Sequence, residues 1–200
     1  MLYVWLILGA NLFIIAASLF SMLFFPENFI GYTAAYAILM PPLSTIAVIA
    51  VDGIAAFIIR RLPEKWFSID SSFSSVSKKE CEIYTKLGVR KWREKVPELG
   101  LFTGFHKNRV ADPGSNEYIK RFILEANYGA VIHFISVPLG FLIIFLCPLG
   151  HAIYFGIPVA IVNAVLNLLP AMALRYNVPK LLSLYRRNER KSLSDIPKAV

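Results

Sequence analysis

The amino-acid sequence predicts an all-α integral membrane protein with four transmembrane helices and a cytosolic, amphipathic helical segment between the second and third. The first observation is composition: 56% of the 200 residues are hydrophobic and only 17% are charged, whereas soluble domains are about 25% charged. The second is a set of four long apolar runs, close to or above the roughly 20 residues that a helix needs to cross a bilayer. The third is that all 21 Lys and Arg residues lie outside those runs.

The first two apolar runs predict the first two spans. Residues 2–25 carry no charge, and their start, MLYVW, lacks the basic region of a secretory signal, so we expect this helix to be retained. Residues 30–59 exceed one crossing and contain Pro41-Pro42. We therefore predict one kinked span there, with Asp52 near the same membrane face as Arg60.

The last two runs, residues 130–146 and 152–174, predict the third and fourth spans, joined by a turn over residues 147–151. Together these segments predict a single membrane domain over residues 1–187, followed by a basic C-terminal tail over residues 188–200.

The positions of the basic residues predict the orientation. All of them fall within residues 60–127 and 175–200, and none falls in the connectors 26–29 and 147–151. Short loops rich in Lys and Arg remain in the cytoplasm. We therefore predict that both termini and residues 60–127 are cytosolic. Cys81 and Cys147 would then lie on opposite faces, as two reduced thiols without a shared disulfide.

The cytosolic segment contains a predicted amphipathic helix over residues 78–95. Ile83 and Leu87 share one face, basic residues surround it, and Trp92 is an aromatic anchor. Such a helix is typical of attachment to anionic lipid at the inner leaflet. The alternative is a solvated helix without a ligand. A second helix is predicted to start near Asn116 and to continue into the third span.

Two residues on that second helix are candidates for catalysis. Glu125, Gly129 and His133 are spaced four residues apart and therefore share one helix face. A carboxylate beside an imidazole can perform acid–base chemistry. We predict His133 as general base, Glu125 as the group that orients or charges it, and Gly129 as the position that leaves room for a substrate.

Polar residues of the fourth span are candidates for substrate binding. Asn163 and Asn167 lie one helical turn apart and precede Arg175, Tyr176 and Asn177. We predict that they hold a polar substrate. The alternative for the two asparagines is hydrogen bonding between helices, which is common in membrane bundles.

Other chemistries lack their motifs. The three histidines are scattered without metal-ligand spacing, and neither a phosphate-binding glycine loop nor a GxGxxG motif occurs. We expect no metal and no cofactor, and the composition excludes a nucleic-acid-binding module.

Several ordered motifs between Lys86 and Asn177 resemble those of the glycosyl-4,4'-diaponeurosporenoate acyltransferases, small membrane proteins assigned to the last step of staphyloxanthin-type carotenoid synthesis. The motifs are KLGVRKWREKVPELG, GFHK, YIKRFILE, NLLP and RYN. The chain departs from the family pattern at Ala126, Asn127, Tyr128 and Ala130. The resemblance places these residues at family positions: Lys91, Trp92, Pro97, Glu98, Gly100, Lys107, Glu125, Gly129, His133, Asn167, Pro170, Arg175, Tyr176 and Asn177.

The resemblance implies a membrane O-acyltransferase that esterifies a sugar hydroxyl of a glycolipid or glycosylated isoprenoid at the cytosolic leaflet of a bacterial plasma membrane. Its partners would be membrane lipids, the lipid acceptor, and an acyl-thioester donor such as acyl-CoA or acyl carrier protein, with Lys91, Trp92 and Lys107 among the binding residues. The alternative is a non-catalytic four-helix protein that binds lipid, moves lipid or scaffolds other proteins.

The orientation can be tested with single cysteines. In a variant with Cys81 and Cys147 replaced by serine, Asn28→Cys and Leu149→Cys should each react with a membrane-impermeant thiol reagent added to intact cells. Labelling that requires opening the cytosol at either position would refute the predicted topology.

Overall fold

The computed structural model describes residues 2–96, 110–146 and 152–194, and over those ranges the chain is helical, with no β-strand. This confirms the all-α prediction. Lys107, the turn at residues 147–151 and residues 195–200 of the predicted tail lie outside the described residues. The α-helices, in chain order, are α1 Leu2–Phe24, α2 Ala34–Ile59, α3 Lys78–Lys86, α4 Val89–Trp92, α5 Asn116–Gly140, α6 Ile143–Leu146 and α7 Ile157–Ser194.

Four helical stretches are long and apolar enough to cross a membrane, as the sequence predicts. They are Val4–Phe24, Ala34–Ile59, Asn116–Phe145 and Ala152–Ser194. Large apolar side chains on them are exposed, among them Phe13, Leu23 and Ile46. Exposed apolar surface of this kind requires a lipid environment. The chain is therefore a membrane protein, while its orientation stays a prediction.

The fourth membrane helix is longer than predicted. α7 continues beyond residue 174 to Ser194, although Pro170 and Pro179 lie inside it. A proline removes one backbone hydrogen bond, but tertiary packing compensates, since Val178 and Leu181 are buried on the extended part. Helix length here is decided by packing rather than by the end of the apolar run.

The predicted helix over residues 78–95 is broken. Ser77 caps the start of α3 by accepting a hydrogen bond from the Glu80 backbone at 3.1 Å. Gly88 then adopts φ +65°, a left-handed conformation that glycine tolerates without strain. The predicted apolar residues Ile83 and Leu87 are each more than half exposed, so this face remains available to a lipid surface.

The chain forms two compact units. The first comprises Met1–Ile58 and Ile132–Leu168, and the second comprises Ile59–Val131 and Leu169–Val200. The prediction of a single membrane domain over residues 1–187 stays a prediction.

Among the residues that the structure describes, two apolar cores lie in the first unit. One joins α1, α2, α6 and α7 through Ile14, Val48, Ile143 and Val159. The other surrounds Phe155 and includes Phe29 and Ala37. These cores hold the helices that carry the polar residues described below.

The second unit packs the first half of α5 against the last half of α7. Ile119, Phe122 and Ile123 of α5 bury their side chains against Leu181 of α7. This contact supports the extension of α7.

Two of the four departures from the family pattern, Asn127 and Tyr128, have structural roles in the second unit. Asn127 is fully buried and donates hydrogen bonds to the Phe67 carbonyl at 2.8 Å and to Ser74 Oγ at 2.6 Å. Tyr128 stacks on Phe67 with ring centroids 4.2 Å apart and donates to the Leu62 carbonyl at 3.0 Å. These two side chains hold the segment that follows α2 against α5.

Candidate functional site

The candidate site lies in the first unit and is centred on His133 of α5. His133 Nδ1 is 2.8 Å from Asn167 Oδ1 on α7. Packing of the helices brings these residues together although 34 positions separate them in the sequence. The predicted residues His133 and Asn167 therefore belong to one site.

Asn167 also contacts a carboxylate on a third helix. Its Nδ2 donates to Asp52 Oδ2 at 3.0 Å and to Asn163 Oδ1 at 2.9 Å. With Asp52 ionised, its carboxylate can only accept, so the amide nitrogen faces Asp52 and the amide oxygen faces His133. His133 Nδ1 therefore carries the hydrogen, and its Nε2 keeps a lone pair that can accept a proton.

Asn163 connects this network to the backbone of α5. Its Nδ2 donates to the Ser136 carbonyl at 3.2 Å. Gly140 provides the space, because a Cβ there would overlap the Asn163 side-chain amide. The close approach of α5 and α7 at Gly140 thus sets the position of both asparagines.

Two polar atoms of the network are buried without a hydrogen bond of ordinary geometry among the described residues. They are Asp52 Oδ1 and Ser136 Oγ. Buried polar groups are nearly always paired in folded proteins, and exceptions occur at sites that bind water or ligand. The Ser136 hydroxyl lies near enough to the Asp52 carboxyl to interact with it, so the two groups are neighbours in the network.

Glu125, the second predicted catalytic residue, lies in the other unit and has different partners. Its carboxylate, only 9% exposed, forms ion pairs with Arg60 at 3.1 Å and with Arg121 at 2.9 Å. In the described part of the chain no hydrogen bond joins it to His133. The group that orients His133 is Asn167, and the role predicted for Glu125 stays a prediction.

Arg175, predicted to bind substrate, is buried and forms an ion pair with the partly exposed Glu80. Its Nε and Nη2 each donate to the Glu80 carboxylate at 2.8 Å. Burial alone would raise the pKa of Glu80, but hydrogen bonds from Arg175 and Tyr84 outweigh it and hold that pKa below its ordinary value. This pair joins α3 to α7 within the second unit.

Two of the remaining predicted binding residues, Tyr176 and Asn177, contact basic side chains in the second unit. Arg93 donates to Asn177 Oδ1 and lies over the Tyr176 ring, 5.4 Å from its centroid. Lys180 lies over the same ring at 4.7 Å. Trp92 donates to the Leu87 carbonyl at 2.9 Å. Lys91 is exposed.

Gly129 has a packing role. A Cβ at this position would lie 2.9 Å from Leu174 Cδ1. The space that the glycine leaves open is therefore used by α7 of the same unit.

No group of three His, Cys, Asp or Glu side chains that could hold a metal ion occurs within residues 2–96, 110–146 and 152–194.

The protein is a multi-helix membrane protein with a candidate acid–base site. In that site an imidazole, an amide and a carboxylate from three apolar helices are joined by hydrogen bonds. The model of the glycosyl-4,4'-diaponeurosporenoate acyltransferase family matches residues 63–187, and the chain belongs to this family, as its motifs predict. No curated protein and no solved structure matches the chain.

Asp52 is the residue of the site to which sequence reasoning gave no role, and it also lies outside the range that the family matches. Its signal was nonetheless present, since a charged residue inside an apolar span costs about 2.5–3.5 kcal/mol even on insertion scales and requires a reason. Its partner could not be identified, because Asn167 lies 115 positions away.

The Glu80–Arg175 pair predicts a pH-dependent stability. Glu80→Gln should lower the free energy of unfolding by about 1–3 kcal/mol near neutral pH, because it leaves a buried guanidinium without its counter-charge. Since the pKa of folded Glu80 is lowered, the pair stabilises the fold above the ordinary pKa and loses its effect as pH falls through the folded value.

Thermal unfolding in detergent, measured between about pH 6 and pH 3, tests this expectation. The difference between wild type and Glu80→Gln should shrink towards the acid end. Glu82→Gln on the exposed side of the same helix is the matched control. An equal loss in both variants, or a pH-independent difference, would contradict a stabilising role for the pair.

Proposed function

We propose that this protein is an O-acyltransferase that transfers a fatty acyl chain from an acyl thioester to a hydroxyl group of a glycolipid or glycosylated isoprenoid, at the cytosolic leaflet of a bacterial plasma membrane. Family membership supports the reaction class. The observation that carries the proposal is the contact series from His133 through Asn167 to Asp52.

In this proposal His133 is the general base. Its Nε2 removes the proton of the acceptor hydroxyl while that oxygen attacks the carbonyl carbon of the thioester. A carbon–oxygen bond forms, the carbon–sulfur bond breaks, and the imidazolium returns the proton to the departing thiolate. The products are an ester and a free thiol.

Asn167 and Asp52 support the base in two ways. Asn167 Oδ1 holds the hydrogen on Nδ1, and so keeps the lone pair on Nε2. Asp52 fixes the Asn167 amide and interacts electrostatically with His133, so its negative charge stabilises the imidazolium that forms. A neutral hydrogen-bonded pair would hold the helices at lower cost, which favours a functional reason for the carboxylate.

The donor's phosphate groups, or an acidic carrier protein, would bind the basic cytosolic segment. Arg90 and Lys91 are exposed on α4, and the resemblance adds Lys107. Arg175 is paired with Glu80, and we therefore assign it a structural part in this region.

The alternative is a non-catalytic protein that binds or moves lipid. It is favoured by one observation: the Asn167 side chain forms hydrogen bonds to residues on both other helices, as an interhelical fastener would. The two functions differ in whether ester formation depends on the imidazole.

Substitutions in the contact series test the reaction. His133→Ala should slow ester formation by about 10²–10⁴-fold, the usual contribution of a general base. Asp52→Asn, which retains an oxygen acceptor for Asn167, should slow it to a smaller extent. Mass spectrometry of lipid extracts, from cells with the wild-type gene, each variant or no gene, measures the ester. Ser18→Ala is a buried-polar control in the same unit.

Near-normal ester formation by His133→Ala at wild-type protein levels would refute the assigned base. If both site variants are silent and the lipid profile does not depend on the gene, the lipid-binding alternative replaces the enzyme. Nitrogen NMR of the imidazole ring separates positioning from folding: wild type should show hydrogen on Nδ1, and Asn167→Ala should lose that preference.

Charge reversal tests the donor site. Arg90→Glu with Lys91→Glu should weaken donor binding about tenfold at low salt, because two attractive charges become repulsive, and less at high salt. Palmitoyl-CoA binding to protein in detergent measures this. Lys78→Glu with Lys79→Glu on α3 changes the net charge of the protein by the same amount and is the matched control. An equal effect of both pairs would contradict a specific site on α4.

A further inference from the structure

We propose that an apolar groove in the first unit binds the acyl chain of the donor, a proposal that rests on the function above and names the substrate class held beside its site. The groove lies among α1, α2 and α7; it is a shallow cleft with a cavity volume of about 30 Å³ and an open side, so it would hold a short part of the chain. Its lining runs from Ile7 to Ile14 on α1, which is a length of about 10 Å along the helix.

The residues that line the groove favour a hydrocarbon chain over a polar ligand. Most of its residues are aliphatic, with Ile49, Val159 and Leu166 as examples from two helices. The polar side chains Asn11 and Thr45 bond to each other at 3.1 Å, and Asn11 Nδ2 donates to the Ile7 carbonyl at 2.9 Å. Because their hydrogen-bonding groups are used within the wall, a sugar or phosphate would find few partners there.

The groove is connected to the candidate site through Asn163. This residue lines the groove, and its Oδ1 accepts from Asn167 Nδ2, the side chain that holds His133. Leu166 is the neighbour of Asn167 along α7 and lines the groove as well. A chain in the groove would therefore contact Asn163, which is one hydrogen bond away from Asn167.

The other end of the groove is closed by the buried core. Ile14, Val48 and Val159 line it there and pack together in that core. A flexible acyl chain can follow a short groove that ends in this way and bend out through its open side. The same end would limit how far a chain can enter.

A photoactivatable fatty acyl thioester, palmitoyl-CoA with a diazirine in its chain, tests the groove in liposomes containing His133→Ala protein, which should bind but not turn over. Cross-links should map to the residues that line the groove. Excess palmitoyl-CoA should suppress them, whereas CoA alone should not.

Matched substitutions on α2 separate the groove from the general lipid surface. Ile49 lines the groove and is 50% exposed, while Ile46 is 63% exposed and does not line it. Ile49→Trp should reduce groove cross-linking about tenfold, in line with the usual effect of reshaping a hydrophobic pocket. Ile46→Trp should not. Ala10→Phe and the exposed Ala17→Phe form a second such pair on α1.

Equal cross-linking around Ile46 and Ile49, or cross-links that palmitoyl-CoA does not suppress, would indicate ordinary bilayer lipid and overturn the groove. Ester formation by wild type with no groove cross-link would likewise refute the groove while leaving the proposed function intact. A third outcome is that palmitoyl-CoA suppresses the groove cross-links while lipid extracts show full ester formation by His133→Ala. That outcome would support the groove and refute the assigned base.

Discussion

The amide of Asn167 is the interaction on which the candidate site depends. It joins an imidazole and a carboxylate from two other helices, and each of its two ends can make only one of these contacts. An amide has one end that donates and one that accepts. The Asn167 amide orientation that Asp52 requires therefore determines which nitrogen of His133 carries the hydrogen. A contact between helices thus sets the tautomer of the imidazole.

The helices are arranged so that this amide can reach its partners. Gly140 leaves space for Asn163, and Asn163 supports Asn167. Inside an apolar bundle, an asparagine without partners would be strongly unfavourable. Gly140 on α5 and the two asparagines on α7 thus depend on one another for their positions. Asn163 also lines the apolar groove.

Charged groups in the second unit mainly stabilise structure. Glu80 with Arg175, and Glu125 with Arg60, join elements that are distant in sequence, while Arg121 pairs with Glu125 along α5. Buried charges are costly unless paired. This explains why two residues predicted for binding or catalysis, Arg175 and Glu125, have protein partners. Asn127 and Tyr128 hold the chain by hydrogen bonds and stacking where the family pattern differs.

Composition and periodicity alone determined that the chain is helical, that four helices can span a membrane, and that His133 and Asn167 are unusual polar residues within them. The motifs also predicted the family correctly. These properties depend on local composition and spacing. The length of α7, the break at Gly88 and the partners of His133, Glu125 and Arg175 depended on the tertiary structure. Each results from contacts between residues far apart in the chain, and one sequence contains no record of which distant side chains meet.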